Sequence, residues 1–267
     1  MPQKIEFVKG SSANNKQIII EPCYPGYGAT IGNALRRVLL SSLPGAAPIG
    51  VKIKGADHEF MSLPHVKEDV LELILNLKKL RLKVFTDEVV KLELDARGEK
   101  EVKASDIKKN SLVEIANPDL VLGHVTDMAG SLSMEISVSR GSGYITVESR
   151  ESAKNEIGYI EMDSIFSPVM SVGVNIENVR IGKMTNWDKL ILDLTTDGTI
   201  TPEDAFNKSV DILINQFNAL IGKTVKEEAE EIKTEAAETK EAEKKEGIPE
   251  EAGEDKKTKK RGRPKKS

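Results

Sequence analysis

Few side chains in this 267-residue chain could do chemistry, and their spacing argues against catalysis. Gly26, Gly28 and Gly32 lie close enough together to suggest a phosphate cradle. No Lys-Ser or Lys-Thr follows the last of them, as a P-loop requires, and their spacing is not the dinucleotide fingerprint. His58, His65 and His124 are scattered, and none pairs with another His or with Cys23 at ligand spacing. His124 falls in an apolar stretch and reads as a satisfied core residue. Asp193 and Asp197 flank Thr196-Asp-Gly198 and read as turn chemistry rather than a metal site. Nothing pairs a nucleophile with a base. The reading is of a chain without an active site of its own, catalytic residues: none, and with no cofactor or metal.

What remains is recognition chemistry, and it concentrates on Gly28 to Gly45. Ile31, Ala34, Leu35, Val38, Leu39 and Leu43 recur at helical spacing and make one apolar stripe before Pro44 and Gly45 stop the helix. Asn33, Arg37 and Leu40 share the other side, with Arg36 at the border. A planar guanidinium beside an apolar residue suits an interface carboxylate or a row of carbonyls, which makes Arg37 the candidate anchor for a partner. Spacing alone equally allows a solvated arginine pair beside an ordinary core helix.

The elements that must position this helix follow from periodicity. Ile5–Val8 and Gln17–Glu21 read as strands before it, and Ile49–Ile53 as a half-buried strand after it. Val66–Leu77 returns to helical spacing. A β-rich middle follows: 82–85, 89–96, 112–115, 120–125, 132–138 and 144–147, with Val89–Ala96 and Leu132–Val138 alternating as one-sided antiparallel strands do. Strands over 172–181 and 190–194 lead to a second long helix. Thr201 can cap it, Pro202 takes its first position, and Glu203 and Asp204 favour its positive end. Phe206, Val210, Leu213, Ile214, Phe217, Leu220 and Ile221 form its stripe, and Ile212 widens it beyond what one sheet would cover. That stripe is either core of its own domain or a dimer seam.

Composition bounds the rest. A hydrophobic content of 39% allows a proper core, and only 4% aromatic residues means that aliphatics must fill it. The single Cys23 excludes an internal disulfide and fits a reducing cytosol. No run approaches eighteen apolar residues and no signal pattern opens the chain, so a soluble cytoplasmic protein with no membrane partner is expected. The net charge of −4 hides a division: residues 226–255 carry thirteen acids and five bases, whereas residues 256–267 carry eight bases and no acid. The −4 therefore belongs to the body, whose partners should be proteins rather than nucleic acid. From Val225 onward the composition is that of a disordered charged tail.

Gly28-Ala-Thr-Ile-Gly-Asn-Ala-Leu-Arg-Arg-Val-Leu-Leu-Ser-Ser-Leu-Pro-Gly45 resembles the signature helix of the bacterial RNA polymerase alpha subunit. Companion matches follow in family order: Glu68–Lys78, Asn117-Pro-Asp119, Arg140-Gly-Ser-Gly-Tyr144, Ile157–Ile160 with Asp163–Pro168, and Asp188–Leu190 with Asp197–Ala205. Together they span residues 1–222. The resemblance implies an α+β, two-part body: residues 1–51 and 172–222 as a helix-plus-sheet dimerisation domain, residues 52–171 as an inserted β-rich domain, and residues 223–267 as tail. It implies a homodimer that nucleates assembly of the beta and beta-prime subunits for transcription. The nucleotidyltransferase chemistry, with its magnesium and any zinc, belongs to those large subunits. Carried over residue by residue, Arg37 with Arg36, Asn33 and Leu40 would contact the beta subunit. Glu68, Asp69, Ser167 and Pro168 are weaker candidates for large-subunit contact. Ile31, Leu35, Val38, Leu39, Phe206, Val210, Leu213 and Phe217 would line the dimer interface.

The chain departs from the family after Gly222, where nothing resembles the usual DNA-contacting C-terminal domain. In its place Arg261-Gly-Arg-Pro-Lys265 resembles an AT-hook, in which arginines lie along a narrow A·T minor groove. Arg261, Gly262, Arg263, Pro264 and Lys265 are therefore candidate DNA contacts. The alternative is an architectural DNA-binding protein acting through this tail.

Overall fold

A computed structural model describes residues 4–150 and 157–222, so the tail, including the AT-hook-like residues 261–265, lies outside the described residues. Strands β1 (Lys4–Lys9) and β2 (Asn15–Cys23) form a hairpin, and helix α1 (Tyr27–Ser41) follows. Strand β3 begins at once, Pro44–Ile53, five residues before the expected start. The short helix α2 covers Val70–Leu77 rather than starting at Val66, because Val66 instead bridges to a strand at Val125. Then come β4 (Leu82–Val84), β5 (Val90–Arg97), β6 (Lys100–Lys103), β7 (Val113–Ile115), β8 (Val121–Val125), β9 (Ser131–Ser142) and β10 (Tyr144–Ile145). The chain continues through β11 (Tyr159–Glu161), β12 (Ser164–Ile165), β13 (Val169–Ile181) and β14 (Met184–Thr196) into helix α3 (Pro202–Ile221). The result is mixed α and β, as the sequence pattern requires.

Two hydrophobic clusters organise these elements. The first gathers Ile18, Ile20, Cys23, Leu35, Leu39, Leu43, Val169, Val172, Leu190, Leu192, Leu194, Ala205 and Phe206. Its sheet has the order β1-β2-β14-β13, so that Lys16 lies opposite Leu194 although 178 residues separate them. The second cluster draws only on residues between Val51 and Met162 and is built on the sheet β11-β3-β9-β5 with α2. The alternation read from the sequence is visible there: Val90, Leu92, Leu94 and Ala96 are buried while Lys91, Glu93 and Asp95 face water.

β3 joins the clusters, since Leu43 just before it belongs to the first and Val51 and Ile53 to the second. Proline and glycine are tolerated at its start because the strand there passes under Phe166. A Cβ on Gly45 would stand 1.8 Å from the Phe166 carbonyl oxygen, so only glycine fits. The same seam holds a buried polar node. Ser164, 1% exposed, donates its hydroxyl to the Pro48 carbonyl, and Arg150 donates to the Ile49 carbonyl at 2.9 Å and to the Ser164 hydroxyl at 2.6 Å.

The start of α3 matches its expected signals. The Thr201 hydroxyl accepts the Asp204 amide at 3.2 Å and donates to the Asp204 carboxylate at 2.8 Å, while Glu203 in the first turn pairs with Lys16. Asp197 accepts the Thr199 amide and hydroxyl at 2.9 and 2.6 Å and so closes a turn, as read. Asp193 instead sits within β14, where it accepts the Asn15 amide group at 2.6 Å across the sheet.

Candidate protein-interaction surface

α1 has two distinct faces. Its buried line runs Gly28, Gly32, Leu35, Leu39, at helical spacing, and lies on β13 and β14. The glycines set the depth of that contact. A Cβ on Gly32 would come within 2.8 Å of Val174 and 2.9 Å of Leu190, and one on Gly28 within 3.0 Å of Asp188. The punctuation that resembled a phosphate loop is thus a helix-to-sheet approach. Asp188, 7% exposed, accepts the Gly28 amide at 3.0 Å, a carboxylate at the helix's positive end. Spacing gave no hint of this residue's role, because an aspartate two positions before a buried leucine looks like any strand residue.

The outer face of α1 carries Thr30, Asn33, Arg36, Arg37, Leu40 and Ser41, all exposed. Leu40 is 37% exposed. The Arg37 backbone carbonyl accepts the Ser41 hydroxyl at 2.8 Å. Neither arginine side chain has an ion-pair or hydrogen-bond partner among the described residues. Two forked cations and a leucine therefore stand ready on a helix whose other face is fixed.

The remaining predicted site residues divide. Leu35, Leu39 and Phe206 are buried in the chain's own first cluster, so they hold α1 and α3 to the sheet and have no surface left for a second copy. Ile31, Val210 and Leu213 pack partly against the same cluster, and Val38 is half-buried. Phe217 alone of that set is well exposed, at 58%, and it has company in Ile214, Leu220 and Ile221 along the end of α3.

Glu68 faces inward as well. Its carboxylate accepts the His124 backbone amide at 2.7 Å and pairs with the His124 ring at 2.5 Å, joining the start of α2 to β8. Partial burial pushes this carboxyl up, and the two hydrogen bonds from His124 outweigh it, leaving Glu68 below the ordinary glutamate range. His124 is correspondingly a half-exposed strand residue satisfied by a carboxylate rather than a core residue. Asp69 is exposed at the start of α2. Ser167 closes a small turn with Val169 at 3.3 Å, and Pro168 is buried beside Gly45, so Pro168 serves packing.

No group of three or more His, Cys, Asp or Glu that could hold a metal occurs among the described residues, and no helix there is long and apolar enough to cross a membrane.

The chain thus sets an outer face of exposed arginines on a glycine-seated helix and joins it to a β-rich second lobe. Residues 51–167 match the model of the RNA polymerase Rpb3/RpoA insert domain, which takes in the whole second cluster. The chain is 47% identical to the DNA-directed RNA polymerase subunit alpha of Desulforamulus reducens over 222 residues, 83% of this chain and 70% of that protein. It is 44% identical to the same subunit of Oceanobacillus iheyensis over 236 residues, 88% of this chain and 75% of that protein. The match to the Carboxydothermus hydrogenoformans subunit is 46% over 205 residues, 77% of this chain and 65% of that protein. This chain belongs to the bacterial RNA polymerase alpha subunit family.

Proposed function

We propose that this chain is the homodimeric scaffold on which the beta and beta-prime subunits of a DNA-directed RNA polymerase assemble. The observation that carries the reading is α1, whose inner line is seated on its own sheet while Arg36 and Arg37 stand unpaired on the outer face beside exposed Asn33 and Leu40. Arg37 is the anchor for the beta subunit, because its fork matches a carboxylate or paired carbonyls and no described residue of its own chain pairs with it. Exposed Asp69 and half-exposed Ser167 are further points of large-subunit contact. The second copy covers the apolar end of α3 at Phe217, Leu220 and Ile221. This chain supplies no catalytic residue. The magnesium of nucleotidyl transfer and any zinc are held by the large subunits. Arg261, Arg263 and Lys265 contact A·T-rich DNA when the polymerase is bound to it.

The test is a tagged pull-down from co-expression with both large subunits, comparing wild type with Arg37→Ala. Recovery of two very large polypeptides with wild type, lost with the variant, supports the scaffold and its anchor. Equal recovery with both removes Arg37 as anchor. Recovery of DNA alone, abolished by nuclease, sinks the scaffold and moves the function to the tail.

A further inference from the structure

The outer face of α1 is too small to hold a large partner by itself. From Asn33 to Ser41 it runs about 12 Å, and a helix face is about 10 Å wide. A stable protein interface covers about 800 Å² on each partner, several times that footprint. The docking surface must therefore continue onto a neighbouring element.

One neighbour is fixed against the end of α1. Ser41 lies four residues after Arg37, hence on the same face. The Gly143 link between β9 and β10 lies close against it: a Cβ at Gly143 would stand 3.0 Å from the Ser41 carbonyl oxygen. The next residue is Tyr144, 59% exposed, and it pairs across the two-stranded β10–β12 ribbon with Ile165, 49% exposed. The ribbon is anchored to the body, since the Phe166 amide donates to the Gly143 carbonyl at 2.8 Å and Phe166 is buried.

Tyr144 stands near the Asp163 carboxylate, which takes the Val147 amide at 3.0 Å and faces Lys78 at 3.5 Å. Those partners, the Val147 amide first, keep Asp163 below its ordinary range. An exposed aromatic ring on a paired strand that is anchored to the body loses little freedom on docking, and tyrosine and arginine are residue types enriched among interface anchors.

We infer that Tyr144 and Ile165 form the second half of the docking surface that begins at Arg37. The occupant is the same large partner subunit, presenting an apolar patch beside its carboxylate or carbonyl group. This rests on the scaffold reading given above.

The experiment co-expresses the full-length chain with tagged beta subunit and measures the captured fraction at rising salt. The variants are Tyr144→Ala, Tyr144→Phe, Ile165→Lys and Arg37→Ala, with thermal melting of each chain alone. Tyr144→Ala and Ile165→Lys should each lower capture about tenfold or more, as loss of an interface anchor does. Tyr144→Phe, which keeps the ring, should capture like wild type. Ile165 is exposed, so its lysine variant tests the surface even where Tyr144→Ala lowers the melting temperature. Capture by Ile165→Lys equal to wild type, with Arg37→Ala defective, overturns the ribbon and leaves the scaffold standing. Wild-type capture by Arg37→Ala as well removes the docking face on which the inference depends.

Discussion

Asp188 offers the sharpest energetic test, because one buried carboxylate secures the start of α1. It accepts the Gly28 amide at 3.0 Å and is 7% exposed, so water cannot substitute for it. Asp188→Ala removes a charge-assisted hydrogen bond and leaves the buried amide unpartnered, a loss of about 1–3 kcal/mol. The missing negative charge at the helix's positive end adds about 0.3–1 kcal/mol. The total, about 1–4 kcal/mol, corresponds to a melting temperature lower by roughly 3–16 °C for a folded body of this size. Asp188→Asn keeps an acceptor and loses the charge, so it should cost about 1 kcal/mol or less. Urea titration followed by circular dichroism measures both. If the two variants prove equally stable, or if the alanine variant lies within about 0.5 kcal/mol of wild type, the helix is held by its glycine-lined packing alone and the capping argument is wrong.

Other perturbations test other parts of the body. Glu68 has a folded value below its ordinary range, so its contribution is fully present above about pH 4.3 and is lost as pH falls through the folded value; Glu68→Gln should therefore flatten the acid limb of a stability-versus-pH curve while leaving its shape unchanged above neutrality. Gly45→Ala should destabilise by at least about 2 kcal/mol, because its Cβ meets a backbone oxygen that no rotamer change can move; denaturant unfolding gives the value. Replacing both Phe217 and Leu220, 58% and 82% exposed, by serine should shift the protein from dimer to monomer in light scattering without lowering helix content.

Much of this architecture was legible because local chemistry and fold agree. Thr201, Pro202 and Asp204 mark the start of α3 by capping rules alone, and the resulting helix spans Pro202–Ile221. β5 declares itself by strict alternation. Where the reading failed, tertiary packing overrode a local signal. Pro44, Gly45 and Pro48 look like a break, yet they open a ten-residue strand because Phe166 packs over the glycine. β6 was missed because Lys100–Lys103 offers one apolar residue, Val102, which is nonetheless fully buried. Periodicity found the apolar stripes of both long helices but could not say which neighbour covers them. Leu35, Leu39 and Phe206 turned out to face the chain's own sheet, whereas the outer face with Asn33, Arg37 and Leu40 fell where spacing put it.

The pairing of β2 with β14 has a consequence for the order in which the protein is made. Residues 15–23 emerge early, but their sheet partners are residues 188–195. At roughly 5–20 residues per second, a ribosome needs on the order of 10–35 s to supply the missing strand. The second cluster, drawn from residues 51–162, has all its parts sooner and can fold while the first still waits. During that interval α1 has no sheet to lie on, and its outer face has no fixed direction. Helix α1, although near the beginning of the chain, therefore matures among the last elements, so the synthesis of β14 times the earliest moment at which its outer face is set.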